Sequence, residues 1–283
     1  MNRFIALFYF LCLNAFTCST GSVIVLNGTP SAGKSSISHC LEHMLPTSSA
    51  FLSIDNYAWK LLMQEALRLE FITEEMTLGE KYTIITNNHS AIAPHSRPLM
   101  PNAIQQMYDD CKELALNSQL VVLDTILYIM APTEIEYFCK QMSNLNVLSV
   151  LVYCSPKVVA QHLVERNNNA TCIQQHRRAI LTMQYFCQLY QTASAENAID
   201  ILTQQSVDEA IDIIKQHLLT TETNINELEE KISALHALYY STFFPNNEDA
   251  TFITSKNPFD LLVNTGNYSS FECAQIIYKQ YTK

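Results

Sequence analysis

Glycine is scarce in this chain, five in 283 residues, so the places where it does occur carry information. Basic residues are also few. The 17 Lys and Arg against 27 Asp and Glu give a formal net charge of −10, and no Lys/Arg run occurs. Binding to a nucleic-acid backbone needs clustered positive charge, so no nucleic-acid partner is expected. Cysteine occurs at 12, 18, 40, 111, 139, 154, 172, 187 and 273, never as C-x-x-C and never with His at zinc spacing. Neither a disulfide framework nor a structural zinc is indicated, and past residue 20 these thiols read as small apolar core side chains. No apolar run reaches the roughly 20 residues that span a bilayer, and there is no internal repeat or low-complexity tract. What is present, 48% apolar and 10% aromatic residues, is an ordinary globular composition, enough for one large core or two small ones.

The N-terminus departs from that average. Met1-Asn2-Arg3 is a short basic start, residues 4–16 are apolar except for Asn14, and small residues follow at Thr17, Cys18 and Ser19. This is the layout of a secretory signal peptide over residues 1–20, with cleavage expected after Thr17 or Thr20. Two other readings stay open: an uncleaved hydrophobic segment, and a lipid on Cys18, for which Ala15 stands where Leu is usual. The chain is expected to be exported, periplasmic or secreted and without a stable membrane anchor, if the segment is removed, and cytoplasmic otherwise.

Two of the five glycines fall in Gly28-Thr-Pro-Ser-Ala-Gly33-Lys-Ser35, which completes the pattern G-x-x-x-x-G-K-[ST] directly after the strand-like run SVIVLN. Glycine lets the backbone curl so that successive N–H groups face phosphate oxygens, and the helix start behind them adds about half a positive charge. Gly28, Thr29, Pro30, Ser31, Ala32, Gly33, Lys34, Ser35 and Ser36 are therefore expected to hold a nucleoside triphosphate, ATP. Lys34 would reach the β- and γ-phosphates, and Ser35 would bind Mg²⁺.

Short apolar runs at residues 23–26, 51–54, 120–123, 147–153 and 261–263 alternate with helical patterns at 35–45, 57–69, 101–117, 132–142 and 155–167. That is the rhythm of a parallel sheet covered by helices on both faces. Residues 171–240 carry helical periodicity with little strand signal, which reads as an insertion into an α/β core. Asp55 closes the second run, where ligands gather in open α/β sheets, and is the candidate general base; capping of the next helix is the competing role. Asp124 ends the third run, LVVLD, in the form of a Mg²⁺-orienting Walker B acid. Arg166, after the fourth strand and its helix, could lay a guanidinium on a transferring phosphoryl group, or simply complement a helix end. Arg177 and Arg178 are weaker candidates of the same kind. The segment at residues 89–101, HSAIAPHSRPLMP, reads as a loop able to wall a substrate pocket. Trp59, the single tryptophan, lies near Asp55 and Tyr57; core packing is the stronger reading, an aromatic platform for an acceptor the weaker.

With these residues in place, the sequence resembles the chloramphenicol phosphotransferase-like family of P-loop kinases. The stretch VIVLNGTPSAGKSSISHCLEHMLP is similar to that family's opening, Asp55 falls where the family has its general base, and VVLDT ends at the family's Asp124 position. Residues 259–265 and 269–277 resemble its last strand and terminal helix. The family's lid usually offers more than one arginine around Arg166, whereas here Gln161 and His162 precede it and residues 167–169 are Asn. The resemblance implies a P-loop NTPase fold, nucleoside-kinase-like, with a parallel five-stranded sheet flanked by helices and a helical insertion before the last strand. It implies a core at 21–170 closed by 258–283, with 171–257 inserted. The expected activity is ATP-dependent transfer of the γ-phosphate to a hydroxyl of a small molecule, with Lys34, Asp55 and Arg166 catalytic and Ser35 and Asp124 at the metal. The pocket between the second and third strands carries no match that would name the acceptor. A toxin-like kinase acting on a nucleotide sugar stays open within the enzyme class. A non-catalytic nucleotide-binding module, with a protein partner on the insertion, is the alternative from another class.

Overall fold

The computed structural model describes residues 21–117, 119–126, 132–166, 204–221 and 260–283. The expected signal segment and Arg177 and Arg178 lie outside them. So does most of the 171–257 insertion, of which a single helix is described.

Five strands form one sheet: β1 (Ser22–Gly28), β2 (Ala50–Ser53), β3 (Leu120–Thr125), β4 (Asn146–Tyr153) and β5 (Leu261–Asn264), in the order β2-β3-β1-β4-β5. The strands are parallel and flanked by helices, as expected. In β4 and β5 the register pairs Val150 with Leu261 and Tyr153 with Asn264. Burial follows the order. Central β1 and β3 are buried along nearly their whole length, whereas every residue of edge strand β2 is half-buried. Short runs of Val, Ile and Leu are what a strand covered on both faces requires.

The helices are α1 (Lys34–Met44), α2 (Ile54–Arg68), α3 (Leu78–Asn87), α4 (His89–Ser96), α5 (Met100–Leu116), α6 (Pro132–Met142), α7 (Pro156–Arg166), α8 (Gln204–Thr221) and α9 (Ser270–Tyr281). The stretch at 89–101, which reads from sequence as a loop, is α4, a 3₁₀ turn at Arg97–Leu99 and the start of α5. Among the described residues no helix is long and apolar enough to cross a membrane.

Packing divides the chain into two compact units. In the first, which holds the described residues within 21–24, 46–123 and 136–147, α2 packs on α4 and α5. Its helical core is Ala66, Ile72, Ile85 and Ile92, with Trp59, Leu62, Met63 and Phe71 against it. Trp59 thus serves packing, with its ring 5.1 Å from that of Tyr82. Tyr57 is buried and donates its hydroxyl to Asp110. The second unit holds residues 25–45, 124–135 and 148–283; within it α1 packs on α9, and α7 on α8.

Candidate active site

The phosphate loop leaves β1 at Gly28, and the close packing there leaves no room for a side chain. A Cβ at this position would stand 2.3 Å from the Val152 carbonyl oxygen. The chain then turns through Thr29–Ala32, closed by Ala32 N–H on the Thr29 carbonyl at 3.2 Å. Ser31 (φ 68°) and Gly33 (φ 92°) both take the left-handed conformation. Alternating hands in this way turns successive N–H groups toward one side, the geometry of an anion nest.

Gly33 is the N-cap of α1, with no side-chain acceptor there and no acidic residue in the first turn. By contrast α2, α3 and α9 begin with Ser53, Thr77 and Ser269 accepting from the backbone. A helix start without a side-chain cap or an acidic first turn is one that an anion suits, because the helix dipole favours negative charge there.

Lys34 and Asp124 are both buried, at 8% and 5% exposure. The Lys34 ammonium donates to the carbonyls of Gly28 (2.8 Å) and Thr29 (3.2 Å) and stands 3.8 Å from an Asp124 oxygen. Ser35 donates its hydroxyl to the other Asp124 oxygen at 3.0 Å. The strand-end carboxylate thus gathers the lysine and the serine of the motif, so three sequence-predicted residues meet. The serine hydroxyl and carboxylate are hard oxygen donors, which suits Mg²⁺. Among the described residues no group of three or more His, Cys, Asp or Glu could hold a metal.

Two further side chains reach the loop, and sequence reasoning assigned neither a role. His162 on α7 donates from Nδ1 to the Ser31 carbonyl at 3.0 Å, and the Thr265 hydroxyl after β5 has the Ala32 carbonyl as its nearer acceptor at 2.8 Å and the Tyr153 carbonyl as a longer one at 3.2 Å. They border a cleft of about 360 Å³, also lined by Ser36, Glu165 and Tyr268.

Asp55 is exposed in the first turn of α2, in the other compact unit. Ser53, rather than Asp55, caps that helix, accepting from the Asp55 N–H at 3.2 Å. Arg166 closes α7, and its side chain lies outside what is described.

An anion-binding loop on a parallel sheet, with a lysine, a serine and a strand-end acid gathered at its base, defines the P-loop class of nucleotide-binding proteins. Within that class, the model of the chloramphenicol phosphotransferase-like family matches residues 21–217, and the chain belongs to this family of kinase-like phosphotransferases. A comparison with curated proteins finds no match. Among solved structures the chain is similar to a Chloroflexus aurantiacus protein described only provisionally as a kinase. That likeness has 13% identity and a TM-score of 0.43, covering 92% of this chain and 98% of the other. Shikimate kinase from Bacteroides thetaiotaomicron is also similar, at 13% identity and a TM-score of 0.31, covering 77% of this chain and 97% of the other.

Proposed function

We propose that the chain transfers the γ-phosphoryl group of ATP to a hydroxyl of a small molecule. The observation that carries this reading is the Lys34–Asp124–Ser35 cluster at the base of a helix start with no side-chain cap. The loop amides and Lys34 would neutralise the phosphates, while Ser35 and Asp124 would hold Mg²⁺, whose charge would offset that developing on the transferring group. The cleft beside Ser36, Thr265 and Tyr268 takes the nucleoside, its volume lying in the range of small-molecule sites.

Asp55 accepts the proton of the attacking hydroxyl. Its exposed carboxylate and the presence of a separate cap, Ser53, support that role. Arg166, at the end of α7, stabilises the transferring group. Residues 21–170 and 258–283 form the kinase core, and the 171–257 insertion is where a protein partner would bind. Residues 1–20 decide the compartment, and N-terminal sequencing of the mature protein tests it: an intact Met1 in the cytoplasmic fraction removes export.

The function is tested by incubating the purified protein with Mg²⁺ and ATP and a panel of hydroxyl compounds, reading the mass gain of one phosphoryl group. Lys34→Ala is expected to lower the rate at least about 10²-fold, the scale for losing a group that stabilises transition-state charge. Asp55→Asn should lower turnover by about 10²- to 10⁴-fold and leave nucleotide affinity unchanged. Equal turnover with and without the carboxylate removes Asp55 from the mechanism. Nucleotide binding with no transfer to any acceptor makes the protein a non-catalytic nucleotide-binding module instead.

A further inference from the structure

An anion nest presents N–H groups inward only while its carbonyls point outward, and outward carbonyls in a buried loop need donors. Around this loop the donors are not left to solvent. Gly28 and Thr29 carbonyls are bonded by Lys34, the loop's own lysine, but Ser31 and Ala32 carbonyls are bonded from two separate elements. His162 reaches in from α7 and Thr265 from the turn after β5. These consecutive carbonyls follow directly on the place where the backbone is least at ease. Ser31 has a side chain yet sits at φ 68°, a conformation that costs an L-residue roughly 1–2 kcal/mol. Something must hold it there before any phosphate arrives.

We propose that His162 and Thr265 are positioning residues that preset the phosphate loop, fixing its carbonyls outward so that its amides are already aimed at the phosphates. A carbonyl can only accept, so the His162 ring carries its proton on Nδ1 in the neutral form. Thr265 is anchored in turn by its own N–H on the Tyr153 carbonyl at 2.8 Å, which continues the pairing of β5 with β4. Its hydroxyl is thus delivered by a sheet, a rigid support. His162 also ties α7 to the loop, and Arg166 lies four residues further along that helix, so one bond sets the loop and the approach of α7 together.

This inference rests on the nucleotide reading above, and the experiment separates the two. His162→Asn places an amide donor near the Nδ1 position, whereas His162→Leu removes it. Thr265→Ser keeps the hydroxyl, whereas Thr265→Val removes it at nearly constant shape. The probe is tripolyphosphate with Mg²⁺, which carries the phosphates without a nucleoside, so a change in how the cleft packs a nucleoside does not enter. Calorimetric affinities are compared with thermal midpoints for all four variants. His162→Leu and Thr265→Val are each expected to weaken tripolyphosphate binding about 3- to 10-fold, the worth of one hydrogen bond, while His162→Asn and Thr265→Ser retain it.

Unchanged tripolyphosphate affinity in His162→Leu and Thr265→Val overturns the positioning role; if a non-hydrolysable ATP analogue with Mg²⁺, measured as the second probe, is weakened in the same variants, the two residues contact the nucleoside instead. Equal loss in the conservative and disruptive variants also overturns it, since packing then explains the effect. Wild-type protein that binds neither probe overturns the nucleotide reading and this inference with it.

Discussion

At the scale of single residues, the two glycines of the phosphate loop are required for different reasons. Gly33 needs its conformation: φ is 92°, but a Cβ would make only an ordinary contact, with Thr265 Cγ2 at 3.5 Å. Gly28 needs its absence of bulk, since a Cβ would press on the Val152 carbonyl at 2.3 Å and on Lys34 Cδ at 3.3 Å. Gly33→Ala should therefore cost about 1–2 kcal/mol of backbone strain and leave a folded protein with weakened phosphate binding. Gly28→Ala must displace β1 from β4 or shift Lys34, and should cost more stability as well as binding. Urea denaturation with phosphate affinity measured in parallel checks the order; Gly33→Ala proving the more destabilising would contradict it. Both glycines are visible in the sequence, but the difference between them is not, because it depends on what stands opposite each. His162 and Thr265 show the same limit: 131 and 233 residues separate them from the loop carbonyls they bond, and no local pattern announces such partners.

Among the secondary-structure elements, legibility follows the physical cause of each one. The strands could be read because a strand covered on both faces must be apolar throughout, and only their ends moved by a residue or two. Residues 89–101 could not be read as helical, because prolines and histidines there resemble loop punctuation. Pro98 and Pro101 in fact sit in the first turns of the 3₁₀ segment and of α5, where a missing N–H costs nothing. Only Pro94 lies inside a helix, α4. Helix α3 is announced by Thr77-x-x-Glu80, a capping box whose hydrogen bonds also hold the Glu80 carboxyl below its ordinary range. The start of α2 offers the test at this scale. Ser53 caps the helix that carries Asp55, so Ser53→Ala should destabilise the protein by about 1 kcal/mol. If the helix start also orients Asp55, turnover should fall further than the loss of folded protein accounts for. A urea midpoint identical to wild type would show that the cap contributes nothing.

For the molecule as a whole, the scattered cysteines expected from sequence to be core side chains lead to a stability that depends on pH on the alkaline side. Cys111, Cys154 and Cys273 are buried, and Cys40 half-buried, while Cys139 is exposed. Burial pushes the Cys111 thiol from 9.0 up to about 12, because a thiolate there would lose its hydration. The same cause takes Cys154 to about 11, and burial together with the nearby Glu272 carboxylate takes Cys273 to about 11. Tyr57 is raised as well, by burial and by its bond to Asp110. Each of these groups has a folded-state pKa above its unfolded one, so the stability it adds is whole below about pH 9. As pH rises, the unfolded chain releases protons that the folded chain still holds, and stability drains away until the folded thiols ionise near 11 to 12. Within that window each such thiol contributes a slope of about 1.4 kcal/mol per pH unit at most. Urea midpoints measured in a series of buffers should be level up to about pH 8.5 and then fall. Cys111→Ala is the discriminating variant: the cavity it leaves lowers stability at every pH, but only the loss of the thiol flattens the slope above pH 9. A parallel downward shift with the slope intact would show that the Cys111 thiol ionises in the folded protein as readily as in the unfolded chain.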